Sequence, residues 1–262
     1  MRYITLYRTY LAMAIKAKLS YRVDLLVGMF SFMLRNIVNF FTIFLIFNSV
    51  VSLGEWTIDR MVFLYAFSLI PKGIDHVFTD AIWYVSHRFV AIGEIDKFLV
   101  RPINPLFQLI SSEFQYEGFG EVLLGIVVIV MSLPKQGIAW GWHNTLPFIL
   151  CGFFATFVFT GVKLFFASIA FFTKRSIQVM TTVYEMSDFA RFPIEVFGDT
   201  IKNVLLFVIP FGLVIYYPVK YLLEGADLWG LTAVVALATA ALNVIAYQFW
   251  KFGLSKYEST GS

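Results

Sequence analysis

Three basic and five acidic side chains stand inside runs that are otherwise apolar. Arg35, Lys72 and Lys163 are the basic ones; Asp75, Asp80, Glu113, Glu117 and Glu121 are the acidic ones. A charge surrounded by hydrocarbon is costly unless it is paired or faces water. Such groups have two uses. They pair across helices and fix their packing, or some of them line a path for a polar or cationic substrate or relay protons. Glu113, Glu117 and Glu121 recur at i, i+4 and i+8, which predicts three carboxylates on one helical face. Like charges stacked in this way repel, so they must face protein or water, where some are expected to hold a proton.

Other chemistry is missing. No G-x-x-x-x-G-K-[ST] phosphate loop occurs, so ATP hydrolysis is not expected of this chain. No G-x-S-x-G, H-E-x-x-H or C-x-x-C occurs either, and His76, His87 and His143 are scattered. The chain therefore reads as something other than an enzyme, with no cofactor of its own. Cys151, the single cysteine, sits in an apolar run and excludes an internal disulfide. It reads as a buried, inert thiol.

A different pattern fills Gly93-Glu94-Ile95-Asp96-Lys97-Phe98-Leu99-Val100-Arg101-Pro102-Ile103-Asn104-Pro105. Its charges forbid a membrane crossing. Its apolar residues Ile95, Phe98, Leu99 and Ile103 keep helical spacing. The expectation is one or two turns of amphipathic helix at a membrane surface, stopped by Pro102 and Pro105.

The elements that must carry these residues are set by composition. The 262 residues are 59% hydrophobic and only 14% charged, whereas soluble domains run at roughly 25% charged. A helical span needs roughly 20 apolar residues, which leaves room for about six. The expected class is an all-α integral membrane protein with six transmembrane helices. An amphipathic interfacial helix occupies residues 1–22, and a single transmembrane domain fills 23–262. No cleavable signal peptide is expected, because the first apolar run is too long.

Span 1 is expected at about Val23–Val50, span 2 from Met61 into the low eighties, and span 3 from Pro105 to about Leu133. Span 4 is expected at Leu146–Phe172 and span 6 at Leu228–Trp250. Span 5 is ambiguous. It is either Val204–Leu223, or the more polar Ser176–Phe192 with Val204–Leu223 as a re-entrant outer hairpin broken by Pro210 and Pro218. In the second arrangement 12 of the 20 Lys/Arg lie on one side, three inside spans and five on the other. The positive-inside rule then puts both termini and residues 93–105 in the cytoplasm. The basic residues flank spans and form no nucleic-acid patch.

Together these features resemble the type-two ABC transporter permeases, the ABC-2 membrane family. Residues 93–105 resemble the G-x-h-D-x-x-L-x-R-P-x-N-P segment of one bacterial branch. Pro210-Phe211, Tyr216-Tyr217-Pro218 with Leu222-Leu223, and Gly253-Leu254 with Tyr257 and Gly261 are similar to it too. The resemblance implies a coupling helix at about 92–105, seated on a separate ABC ATPase that holds ATP and Mg²⁺. Glu94, Asp96, Lys97, Phe98, Leu99 and Arg101 would form that contact, with Phe98 and Leu99 as apolar anchors. It further implies two permease subunits, alike or different, in a bacterial inner membrane. The implied function is export of a drug-like, peptide, lantibiotic or lipid-like amphipathic substrate. The residues alone keep an alternative open: a proton- or ion-coupled carrier using the intramembrane carboxylates.

Overall fold

The computed structural model describes residues 2–20, 22–49 and 52–259. Val50, the expected end of span 1, and Gly261 of the terminal motif lie outside them. Helix α1 covers Arg2–Leu19 and α2 covers Arg22–Ser49; α3, Ile58–Thr79, is prolonged by α4, Ala81–Tyr84, and a π-helical turn, Val85–Phe89. Next come α5, Asp96–Leu99, α6, Pro105–Ser112, and α7, Gly118–Ser132. The long α8, Trp142–Ser168, leads into α9, Ala170–Thr173, and α10, Ile177–Glu185, continues as a 3-10 turn, Met186–Arg191. Finally α11, Asp199–Asn203, α12, Tyr217–Glu224, and α13, Leu228–Lys256, close the chain.

Among the described residues five stretches are long and apolar enough to cross a membrane: Arg22–Ser49, Ile58–Thr79, Gly118–Lys135, Trp142–Thr173 and Leu228–Lys256. A sixth, Asp199–Val208 with Gly212–Glu224, qualifies only as a pair bent by 81°. Pro210 sits at that bend, where its missing N–H and ring break the helical ladder. Local signals set the ends. Asp227 accepts from the amides of Trp229 and Gly230 and starts α13. Asn104 does the same for Leu106 and Phe107, with Pro105 at the first helical position of α6.

Span 3 differs from expectation. The helix breaks between Ser112 and Gly118, with Glu113 extended at φ −130°, ψ 142°. Here the Gln115 amide donates to the Val77 carbonyl of α3 instead of to its own helix, at 3.1 Å. Glu113, Glu117 and Glu121 therefore do not share one helical face. Past the break, α7 packs tightly on two other helices. A Cβ on Gly118 would lie 2.7 Å from the Gly73 carbonyl of α3, and one on Gly120 only 2.4 Å from the Met29 carbonyl of α2. Only glycine lets α7 approach both neighbours so closely.

Helix α3 is the centre of the bundle and is mostly buried, whereas α2 buries only Asn36 and Ile43. Helices α8 and α13 lie against each other through Phe165–Phe249 and through the buried Cys151, whose sulfur is 3.3 Å from the Thr232 hydroxyl. Residues 176–192 run back along α3. The Ser176 amide binds the Ser86 carbonyl, Tyr184 reaches Asp75, and the Arg191 guanidinium covers the Tyr65 ring. This stretch is nine residues of α-helix and six of 3-10 helix, not a regular span.

Candidate functional site

Polar side chains from five elements meet around α3. Lys163 of α8 lies 2.8 Å from both Asp75 and Asp80. The same Asp75 accepts from Thr160 at 2.8 Å, from Thr79 at 2.6 Å and from the Tyr184 hydroxyl at 2.9 Å. One turn along α3, Lys72 binds Asp188 at 2.9 Å, and Arg191 holds the same carboxylate at 3.1 Å. Beside Lys72, Glu121 of α7 takes Arg35 at 3.0 Å and Asn36 at 2.9 Å from α2, and His76 at 2.7 Å. Tyr65 closes the ring by donating to the Asn36 carbonyl at 2.7 Å.

Six of the eight intramembrane residues named from sequence thus fall into this network: Arg35, Lys72, Asp75, Asp80, Glu121 and Lys163. Glu113 sits half-buried at the helix break and takes part in none of these ion pairs. Glu117 packs over Gly28 of α2. Sequence reasoning missed Asn36, Tyr184, Asp188 and Arg191. The polarity of residues 176–192 marks their segment as unusual but does not reveal their partners.

A polar cavity of about 390 Å³ opens beside the network, between α2 and the α10 segment. The Arg35 side chain is 55% exposed toward this side and that of Asp188 47%. A larger, apolar groove of about 870 Å³ runs between the bent pair and α13, lined by Phe207, Pro210, Leu213, Val234, Ala238 and Ala241. Among the described residues no group of His, Cys, Asp and Glu is placed to hold a metal ion.

The second site is the end of the bundle that carries residues 93–105. Gly93, at φ 75°, turns the chain out of the α3 extension, and α5 makes a single turn. Arg88 donates to Glu94 at 2.6 Å and Lys97 lies 3.6 Å from it. The Arg88 hydrogen bond holds the Glu94 carboxyl below its usual range. Ile95 and Phe98 point inward and are buried, the latter against Phe89. Gln108 of α6 donates to the carbonyls of Phe98 and Ile103. Outward-facing apolar surface comes from Leu99 and Val100, 41% and 82% exposed. Phe98, expected as an outward anchor, is 4% exposed and belongs to the protein's own core.

Neighbouring elements frame this segment. Tyr10 of α1 accepts from Arg101 at 3.3 Å, and Tyr3 and Tyr7 pack on Phe107. Asn104 donates to Tyr247 of α13. Residues 93–105 are therefore fixed to the α3 extension, α6, α1 and α13 at once. They form a ledge at one end of the bundle, with Leu99 and Val100 at its surface.

No curated protein matches the chain. A family profile described as ABC-2 family transporter protein matches residues 33–261. With the apolar helices, that match makes the chain a multi-pass membrane permease of an ABC transporter type, and the chain belongs to the ABC-2 transporter family.

Proposed function

We propose that the chain is one of two permease subunits of an ATP-driven exporter in a bacterial cytoplasmic membrane, with both termini in the cytoplasm. Residues 93–105 act as its coupling helix and seat a separate ATPase, which holds ATP and Mg²⁺. The observation that carries this reading is the ledge itself. Glu94, Asp96, Lys97, Leu99 and Arg101 stand around a turn whose buried face, Ile95 and Phe98, is locked to the extension of α3. A partner gripping Leu99 and Val100 would move α3 as a lever. The α3-centred ion pairs would then pass that motion to α2, α7, α8 and α10 as a rigid-body change of access.

Exposed charge at mid-bundle favours a second permease subunit, alike or different. Arg35, Asp188 and Glu185 face outward where lipid contact would be costly. A partner subunit over α2 and the α10 segment would enclose them in a polar passage. Residues 176–192 then make the fifth crossing, and the bent pair 199–224 is a re-entrant hairpin on the outer side. The apolar groove beside it suits a drug-like, peptide, lantibiotic or lipid-like amphipathic cargo. Matching of Asp75, Asp80, Glu121 and Asp188 with basic groups favours structural over proton-carrying roles, and so favours this reading over an ion-coupled carrier.

The test is co-purification with an ABC ATPase co-expressed from the same genome, then transport in inverted vesicles. Leu99→Asp combined with Val100→Asp should abolish association. An ATPase still bound and stimulated by that variant would refute the docking assignment. Transport driven by an ion gradient without ATP would refute the exporter.

A further inference from the structure

Helix α13 ends at Lys256 without running on into solvent. Tyr257 turns extended at φ −69°, ψ 127°, and its ring rests edge-on against Phe171, 6.0 Å between centroids. Two residues later the Ser259 hydroxyl donates to Asp96, on the first turn of α5, at 2.5 Å. The tail thus passes Phe171 of α9 and reaches the ledge at Asp96. Gly253 makes this approach close, because a Cβ there would meet the Phe171 ring at 2.7 Å. These are the residues of the terminal motif, which the transport reading otherwise leaves without a task.

The charges at this end have a sign. Glu94 and Asp96 are engaged within the chain, by Arg88 and by Ser259. Lys97, Arg101, Lys174, Arg175, Lys251 and Lys256 are all exposed, as is the carboxylate of Glu258 in the tail, so basic groups outnumber acidic ones among these. The surface offered to the cytoplasm is Leu99 and Val100 set in a basic rim, and the tail forms one wall of it.

We infer that residues 257–259 are part of the surface that binds the ATPase, a strap that Asp96 holds in place beside Leu99 and Val100. The partner it fits is an ATPase groove with an apolar floor and an acidic border. Asp96 is on this view a positioning residue: it orders the tail. The inference rests on the docking reading above, and the experiment separates the two.

Full-length permease in nanodiscs is titrated with the ABC ATPase that co-purifies with it, and dissociation constants are compared. Deletion of 257–262 and the single change Ser259→Ala should each weaken binding, the deletion by about tenfold, equivalent to about 1.4 kcal/mol. Melting temperature should stay that of wild type for Ser259→Ala. A deletion variant that binds like wild type, while Leu99→Asp with Val100→Asp does not bind, overturns the strap and leaves the docking reading standing. Normal binding by the Leu99/Val100 variant overturns both. Should the deletion fail to fold, Ser259→Cys in a Cys151→Ser background carries the test. A short thiol-reactive cross-linker should join it to the ATPase, and failure to do so where Leu99→Cys succeeds overturns the inference.

Discussion

Lys163 and Asp75 form an ion pair 2.8 Å long in which neither side chain has any solvent exposure. Removing one partner of a buried pair leaves an uncompensated charge and costs about 3–5 kcal/mol. Lys163→Met should therefore lower the melting midpoint in nanodiscs sharply and cut the folded yield. Adding Asp75→Asn should recover much of the loss, since Asp80, part-exposed, is then the only carboxylate left at that point. A single variant that melts like wild type would mean that the pair is not buried in the working protein.

Two glycines make opposite predictions. At Gly120 a methyl group would lie 2.4 Å from the Met29 carbonyl, a backbone atom that cannot move aside alone. Gly120→Ala should destabilise by about 1–3 kcal/mol, the usual range for overpacking. At Gly152 the nearest atom is the Phe67 ring at 3.5 Å, ordinary contact. Gly152→Ala should be neutral or stabilise by up to about 1 kcal/mol through helix propensity. Thermal melts of the two purified variants decide the matter.

Adjacent residues on the ledge should separate fold from docking. Phe98 is core, so Phe98→Ala should cost about 3–5 kcal/mol of stability. Leu99→Asp is at the surface and should leave the melting midpoint unchanged while ATPase association is lost. Equal effects of both changes on stability would place Leu99 inside as well.

The Glu94 carboxyl titrates below its ordinary value near 4.5 because Arg88 hydrogen-bonds its charged form. A depressed carboxylate stabilises the fold above its unfolded pKa and loses that contribution as pH falls through the folded one. Wild type should therefore melt above Glu94→Gln at pH 7. The gap should narrow below about pH 4.5 and close under stronger acid. A gap that stays constant with pH would assign the effect to packing.

How much of the fold and site is legible in the chain depends on range. Helix ends are written locally: Asp227, Asn104 with Pro105, and Gly93 after the α3 extension all act on residues within one turn. The break at Glu113 is not, because the group that replaces the helical bond is the Val77 carbonyl of another helix. Spacing at i, i+4 and i+8 therefore predicts a carboxylate row that tertiary contact dissolves. Lys72 reads as a charge needing a partner, but Asp188 is 116 residues away and meets it only because the α10 segment doubles back along α3. Phe98 shows the limit over a single turn: in a helix of four residues, apolar periodicity cannot say which of two adjacent side chains turns inward.

The bond between Arg35 and Glu121 spans 86 residues of sequence, and that has a consequence for how the chain is made. Helix α2 reaches the membrane with a guanidinium at its middle and its counter-charge not yet synthesised. At about 5–20 residues per second, Arg35 waits roughly 4–17 s for Glu121 to emerge. Until then α2 can rest only near the headgroups or beside the insertion machinery. Helix α2 is on this account translated before α3 and α7 but settles after them, and the bundle assembles around α3 before it closes.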